Sequence, residues 1–173
     1  NLKGSKMKEI LVLQAKYNKA ANAAMMSIVA GLSDEKLDAN LGLFYKNLRA
    51  ELAHVLGVQV AVFGGVFAKW ASVDCTDILS QINEDLSLKN KGVASIAKLF
   101  AACDEKIIQI IEKTPELEKI DELSFPGITF KKSRANLILA LLNHSTHHRG
   151  IIGAQLELLG VSNDFNGMLG YEL

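Results

Sequence analysis

Three of the chain's four histidines fall within five residues, in Asn143-His144-Ser145-Thr146-His147-His148-Arg149-Gly150. Residues four apart on a helix lie one above the other, so His144 and His148 can turn their imidazoles toward one point, as two ligands of one metal ion would. The same face carries Leu137 and Leu141 before the pair, and Ile152 and Gln155 after it, which places the pair on a core-facing stripe. Two buried neutral imidazoles without partners are poorly satisfied, and two imidazolium ions there are worse. A divalent cation resolves both problems; hydrogen bonds from a partly exposed pair to backbone or carboxylates are the other solution. His147 is rotated off that face, toward the surface or a supporting position.

The remaining histidine, His54, lies in an apolar segment. Alone it reads as a hydrogen-bonded core residue. Together with the pair it completes a three-histidine set, with two ligands from one helix and one from a facing helix. With zinc such a set leaves a fourth position open for water or substrate, as in catalytic rather than structural sites. A zinc protease of the HExxH type needs a glutamate after the first histidine, and Ser145 stands there. No carboxylate-rich diiron pattern of the paired Glu-x-x-His kind occurs; Glu51-Leu52-Ala53-His54 stands alone. Cys75 and Cys103 are far apart and in no CxxC spacing, so they read as two reduced thiols.

The elements that must position these residues are helical. Leu13, Tyr17, Ala20, Ala24 and Ile28 mark the inner stripe of a first helix over about Met7 to Ala30. A second is predicted from about Leu41 to Val73. Its later part, Val58, Val60, Val62 and Phe63, also reads as strand, and Gly64-Gly65 invites a kink. A third runs from Val93 through Ile96, Phe100, Cys103, Ile107, Ile110 and Ile111 to Thr114-Pro115, with Asp104, Glu105 and Lys106 on its solvent side. From Glu116 to Lys132 the periodicity is lost. Phe125-Pro126-Gly127-Ile128 has turn chemistry, so an irregular but ordered crossover with short extended pieces is expected. The last helix starts after Ser133 and stops at Gly160; the final dozen residues carry no helical signal. The prediction is an all-α, four-helix bundle forming a single domain over residues 1–173.

Composition excludes several roles. Hydrophobic residues make up 49% and charged residues 22% of the 173, the balance of a folded soluble domain. Lys plus Arg equals Asp plus Glu at 19 each, which argues against a nucleic-acid binder. Leu52 to Ala68 lacks any charge, but it is short for a span and contains His54 and Gln59, so a buried helix rather than a membrane segment is expected. The absence of a basic-then-apolar leader pattern points to the cytoplasm.

The motif His144-Ser145-Thr146-His147-His148-Arg149-Gly150 resembles the C-terminal signature of the DinB/YfiT-like family. Tyr17-Asn18 with Ala21-Asn22, the turn Leu32-Ser33-Asp34-Glu35, and His54 resemble that family's N-terminal half. The resemblance implies a four-helix bundle holding one divalent metal ion, commonly nickel or zinc, on His54, His144 and His148. It also implies a homodimer. Understood relatives include thiol-dependent enzymes, the bacillithiol S-transferases and mycothiol-dependent maleylpyruvate isomerase. The chain departs from the pattern at Ile151, where the family often has glutamine, and at Gln59 and Val62, where it often has an acid and a tryptophan.

The expected function is therefore a metal-dependent transferase that uses a low-molecular-weight thiol on a small-molecule substrate. A metal-dependent hydrolase and a non-catalytic metal-binding stress-response bundle are the alternatives. Candidate catalytic residues are Glu51, one turn before His54, to orient a ligand or act as a base; Arg149, to hold a carboxylate of the thiol or else to form a salt bridge; and Tyr17, near the site or in the core.

Overall fold

The computed structural model describes residues 2–165 and 167–172. The protein is mainly α-helical with one two-stranded hairpin: α1 (Leu2–Val29), α2 (Asp34–Asp38), α3 (Leu48–Gln59), a π-helical segment (Val60–Phe67), α4 (Ala68–Ala71), α5 (Thr76–Glu84), α6 (Val93–Lys113), β1 (Ile120–Phe125), β2 (Ile128–Ser133) and α7 (Arg134–Leu158). Helix α1 packs along α6 and α7, and α3 packs against α7 and α6.

The first helix buries a different stripe from the one its apolar spacing suggests. Leu11, Ala15, Asn18, Asn22, Met25 and Val29 face inward, whereas Leu13 is exposed and Tyr17 half-buried. The inward stripe contains two asparagines, so apolarity alone gives the wrong phase. On α6 the apolar stripe is as expected, but Asp104, read as solvent-facing, is buried beside it.

The long second helix begins later and is not one helix. Residues 39–47 form an irregular connection, Asn47 caps α3 by accepting from the Ala50 N–H at 2.8 Å, and the backbone widens to π geometry from Val60 to Phe67. No strand forms here, and the glycine pair lies inside the π-helical segment. At Gly64 the neighbouring element comes close: a Cβ there would stand 3.3 Å from Cys75 Cβ and 3.6 Å from Ile78 Cδ1, so the glycine admits α5, which packs on this segment. The stretch Leu48–Ala71 is long and apolar enough to cross a membrane by composition, and 61% of its most apolar window is buried inside the protein. Both cysteines are free and buried.

The crossover is more regular than expected. Strands β1 and β2 pair antiparallel from Phe125↔Ile128 to Ile120↔Ser133. Pro126 fixes φ of the first turn residue, and Gly127 supplies the positive φ of 83° that the second requires. Leu123 is the buried residue of the pair, and Arg134 ties β1 to α7 by donating from Nε to Asp121 Oδ2 at 2.6 Å. Ser133 caps α7, its Oγ accepting from the Asn136 N–H.

Candidate metal centre

Helix α7 carries the predicted core-facing stripe. Leu137, Leu141, His148, Ile152 and Gln155 are buried, His144 is half-buried, and His147 is exposed. Across from them α3 presents His54. The three imidazoles meet, with ring centroids 5.1 Å apart for His54 and His144, 4.6 Å for His54 and His148, and 4.3 Å for His144 and His148. One nitrogen from each lies within 4.8 Å of the other two.

The donor geometry can be tested against what an ion requires. Two nitrogens each about 2.1 Å from one ion, at tetrahedral to octahedral angles, stand about 3.0–3.4 Å apart. His54 Nε2 and His144 Nε2 are 3.2 Å apart. His148 Nδ1 is hydrogen-bonded to Glu51 Oε1, which leaves its Nε2 turned to the other two rings. That carboxylate is 1% exposed and sits one turn before His54 on α3, in the place where a carboxylate commonly fixes the tautomer of a ligating histidine. Burial, together with the charge of His148, lowers the His54 pKa. Burial, reinforced by the neighbouring histidines His148, His54 and His147, lowers that of His144 to about 4. Both rings are therefore neutral at pH 7, the form that donates a lone pair. The donor set fits a divalent ion. Its support is uneven, because His144 Nδ1 is buried without a hydrogen-bond partner among the described residues while His148 has Glu51.

If Glu51 holds His148, Glu51→Gln keeps the shape and loses the charge. Zinc affinity should fall about 10–100-fold, read by competition with a chromophoric chelator, with the helical circular dichroism unchanged. Unaltered affinity would remove Glu51 from the site.

Two sets of contacts in the surroundings have no signal in the sequence pattern. Tyr45, in the irregular connection before α3, stacks on His54 with centroids 4.5 Å apart and planes inclined by 25°, and its ring is edge-on to His148 at 6.1 Å. Its backbone carbonyl accepts from Gln155 Nε2 of α7 at 3.4 Å. Gln59, one of the departures from the family pattern, is buried and donates from Nε2 to Ser145 Oγ at 2.6 Å, joining α3 to α7 beside His144. Ile151 is half-buried on α7 and Val62 is buried in the π-helical segment.

The structure gives Arg149 and Tyr17 their own partners. Arg149 is 3% exposed; Nη1 donates to Asn18 Oδ1 at 2.6 Å and Asn22 Oδ1 at 3.0 Å, and Nη2 to Thr146 Oγ1 at 3.0 Å. The guanidinium also lies 5.2 Å from the Tyr17 ring centroid. The two asparagines turn their amide nitrogens the other way, donating to the buried Asp104 carboxylate at 2.8 to 3.1 Å. A buried cation and a buried carboxyl are thus joined through two amides, linking α7, α1 and α6.

Together these elements define a mainly helical protein with three imidazoles gathered so that they could hold a metal ion. The sequence profile of the DinB family matches residues 7–167, and the chain belongs to that family. No curated protein and no solved structure matches it.

Proposed function

We propose that the chain is a four-helix-bundle metalloenzyme, cytoplasmic and homodimeric, in which His54, His144 and His148 hold one divalent ion, zinc or nickel, and which transfers a low-molecular-weight thiol to a small electrophile. The bundle's members in this reading are α1, α3, α6 and α7, supported by their mutual packing. One observation carries the metal assignment: His54 Nε2 and His144 Nε2, on different helices, approach to 3.2 Å beside a third histidine whose far nitrogen is tied to a buried carboxylate. Neutral imidazoles placed nitrogen to nitrogen need a proton or a cation between them.

A bound divalent ion would acidify a thiol's S–H and so supply a thiolate nucleophile. The chain's own residues supply the rest. Glu51 fixes the His148 ring, Tyr45 packs on His54 and shields that side from water, and burial keeps His54 and His144 neutral. Kinship with a family that includes thiol-dependent enzymes supports the transferase part of the proposal.

Monochlorobimane tests it. In the transfer the S–C bond forms, chloride leaves and the thiol proton goes to solvent. Zinc-loaded, tag-free protein with cysteine, coenzyme A, glutathione, bacillithiol or mycothiol in turn should give the fluorescent thioether faster than zinc alone. The acceleration should disappear in His148→Ala. Hydrolysis of esters without any thiol would favour the hydrolase instead, and bound metal with no turnover would leave a non-catalytic metal binder.

A further inference from the structure

An open cavity of about 450 Å3 lies between the outer face of α3 and the loop that follows α5. Ala50, Ala53 and Gly57, spaced to share one face of the helix, form its floor; Tyr45 and Leu86 flank it, and His54 is the member of the histidine cluster on its wall. We propose that this cavity receives the apolar body of the substrate, and that it selects compact, uncharged, ring-containing molecules presented to the His54 edge of the cluster. The proposal rests on the metal-site reading given above and adds a substrate class to it.

The first support is Gly57. Glycine inside a helix is unfavourable relative to alanine, so its presence calls for a reason. Position 57 lies within α3, and a Cβ there would meet no atom within 4 Å. Neither a turn nor a close approach of another element asks for glycine. What the absent side chain leaves is room in the cavity.

The second support is the charge balance of the rim. Arg49 lines the cavity, yet all five of its N–H groups are used. Nε donates to Asp38, Nη1 to the carbonyls of Leu88 and Lys91, and Nη2 to Asp34 and Asp38. A saturated guanidinium between two carboxylates has nothing left for an anionic ligand. Lys89, also on the rim, is exposed and keeps its charge in water. The cavity wall thus offers the body of a ligand no buried counter-ion of its own, and an uncharged body loses least on leaving water. The Tyr45 ring, stacked on His54, supplies a flat face for another ring to pack on.

Two fluorescent probes with the same ring system test the proposal: uncharged N-phenyl-1-naphthylamine and the anionic 8-anilinonaphthalene-1-sulfonate. Both are titrated into zinc-exposed wild type, Gly57→Ala and Gly57→Leu, with zinc content and Tm measured on the same samples. Wild type should bind the uncharged probe about tenfold more tightly than the sulfonate. Leucine at position 57 should weaken the uncharged probe by about tenfold or more as it fills the cavity, and alanine should weaken it by a smaller step while holding or raising Tm. Probe affinity unchanged across both variants, or a preference for the sulfonate, overturns the proposal. The metal reading fails separately. Zinc retained with probe binding indifferent to position 57 removes the pocket alone, and probe binding blocked by leucine in a chain that takes up no zinc removes the metal alone.

Discussion

Replacing His54, His144 or His148 singly with alanine, in protein made without a histidine tag, should reduce bound zinc from about one ion per chain to background, while His147→Ala keeps it. One nitrogen from each of the three imidazoles, on two helices, lies within 4.8 Å of the other two, so each alanine would leave two donors and an open side. Loss of a carboxylate that merely supports a ligand already costs about 10–100-fold in affinity, and loss of a ligand must cost more. The exposed His147 meets the cluster at the ring of His148, with centroids 5.0 Å apart. Elemental mass spectrometry gives the stoichiometry and thermal unfolding gives a second readout. An ion present at about 1,000 times its Kd stabilises a folded chain by about 4 kcal/mol, which in a protein of this size raises Tm by about 8–16 °C. That rise should be seen in wild type and His147→Ala and be absent from the three triad variants. Metal retained in all three would place the ion elsewhere, and no uptake of zinc, nickel or manganese by wild type would end the metalloprotein reading.

The triad was legible because its information is local. His144 and His148 are one helical turn apart on a stripe continued by Leu137, Leu141, Ile152 and Gln155, and that stripe is the buried one. His54 was legible as a histidine inside an apolar run. The first helix was read out of phase for the opposite reason. Asn18 and Asn22 belong inside because Arg149, 131 and 127 residues away, donates to them, and no local pattern records a partner that distant. Asp104 was placed in solvent for the same cause. Tyr45 lies in a connection without periodicity, and α5 is only nine residues long, with Ile78 and Ile82 as its buried pair. The hairpin's turn was written in Pro126-Gly127, with short extended pieces expected around it, but the regular pairing of the strands was not legible, because most of their residues are exposed and the alternation that marks a half-buried strand is missing. The run of valines and glycines after Gln59 suits strand and helix alike. A segment packed against α3, α5 and α6 resolved as a wide π-helical turn.

Arg149→Met should be the most destabilising single change outside the apolar core, lowering the unfolding free energy by about 3–5 kcal/mol. It removes the cation of a buried pair and leaves the Asn18 and Asn22 carbonyl oxygens without their donor. Arg149→Lys should recover only part of the loss, because one ammonium cannot span Asn18, Asn22 and Thr146 as the planar fork does. The other end of the network makes the effect depend on pH. Burial raises the Asp104 carboxyl from 3.8 to about 7, against the opposing pull of Asn22, Arg149 and Asn18. Between these two values the folded state binds the proton and the unfolded state does not, so this group's stabilising contribution is complete below about pH 4. It is lost as pH rises toward about 7. Urea unfolding of wild type and Asp104→Asn across that range isolates the group, since histidine titration and metal loss act on both proteins alike. The wild type's advantage over Asp104→Asn should shrink as pH rises. The penalty of Arg149→Met should stay level over that interval, where both folded proteins hold the proton, and grow as pH rises past about 7, where the wild type's carboxyl ionises with Arg149 nearby and the variant's does not. If the difference between wild type and Asp104→Asn stays flat with pH, Asp104 is ionised throughout, and the two bridging amides transmit the charge of Arg149 more strongly than burial opposes it.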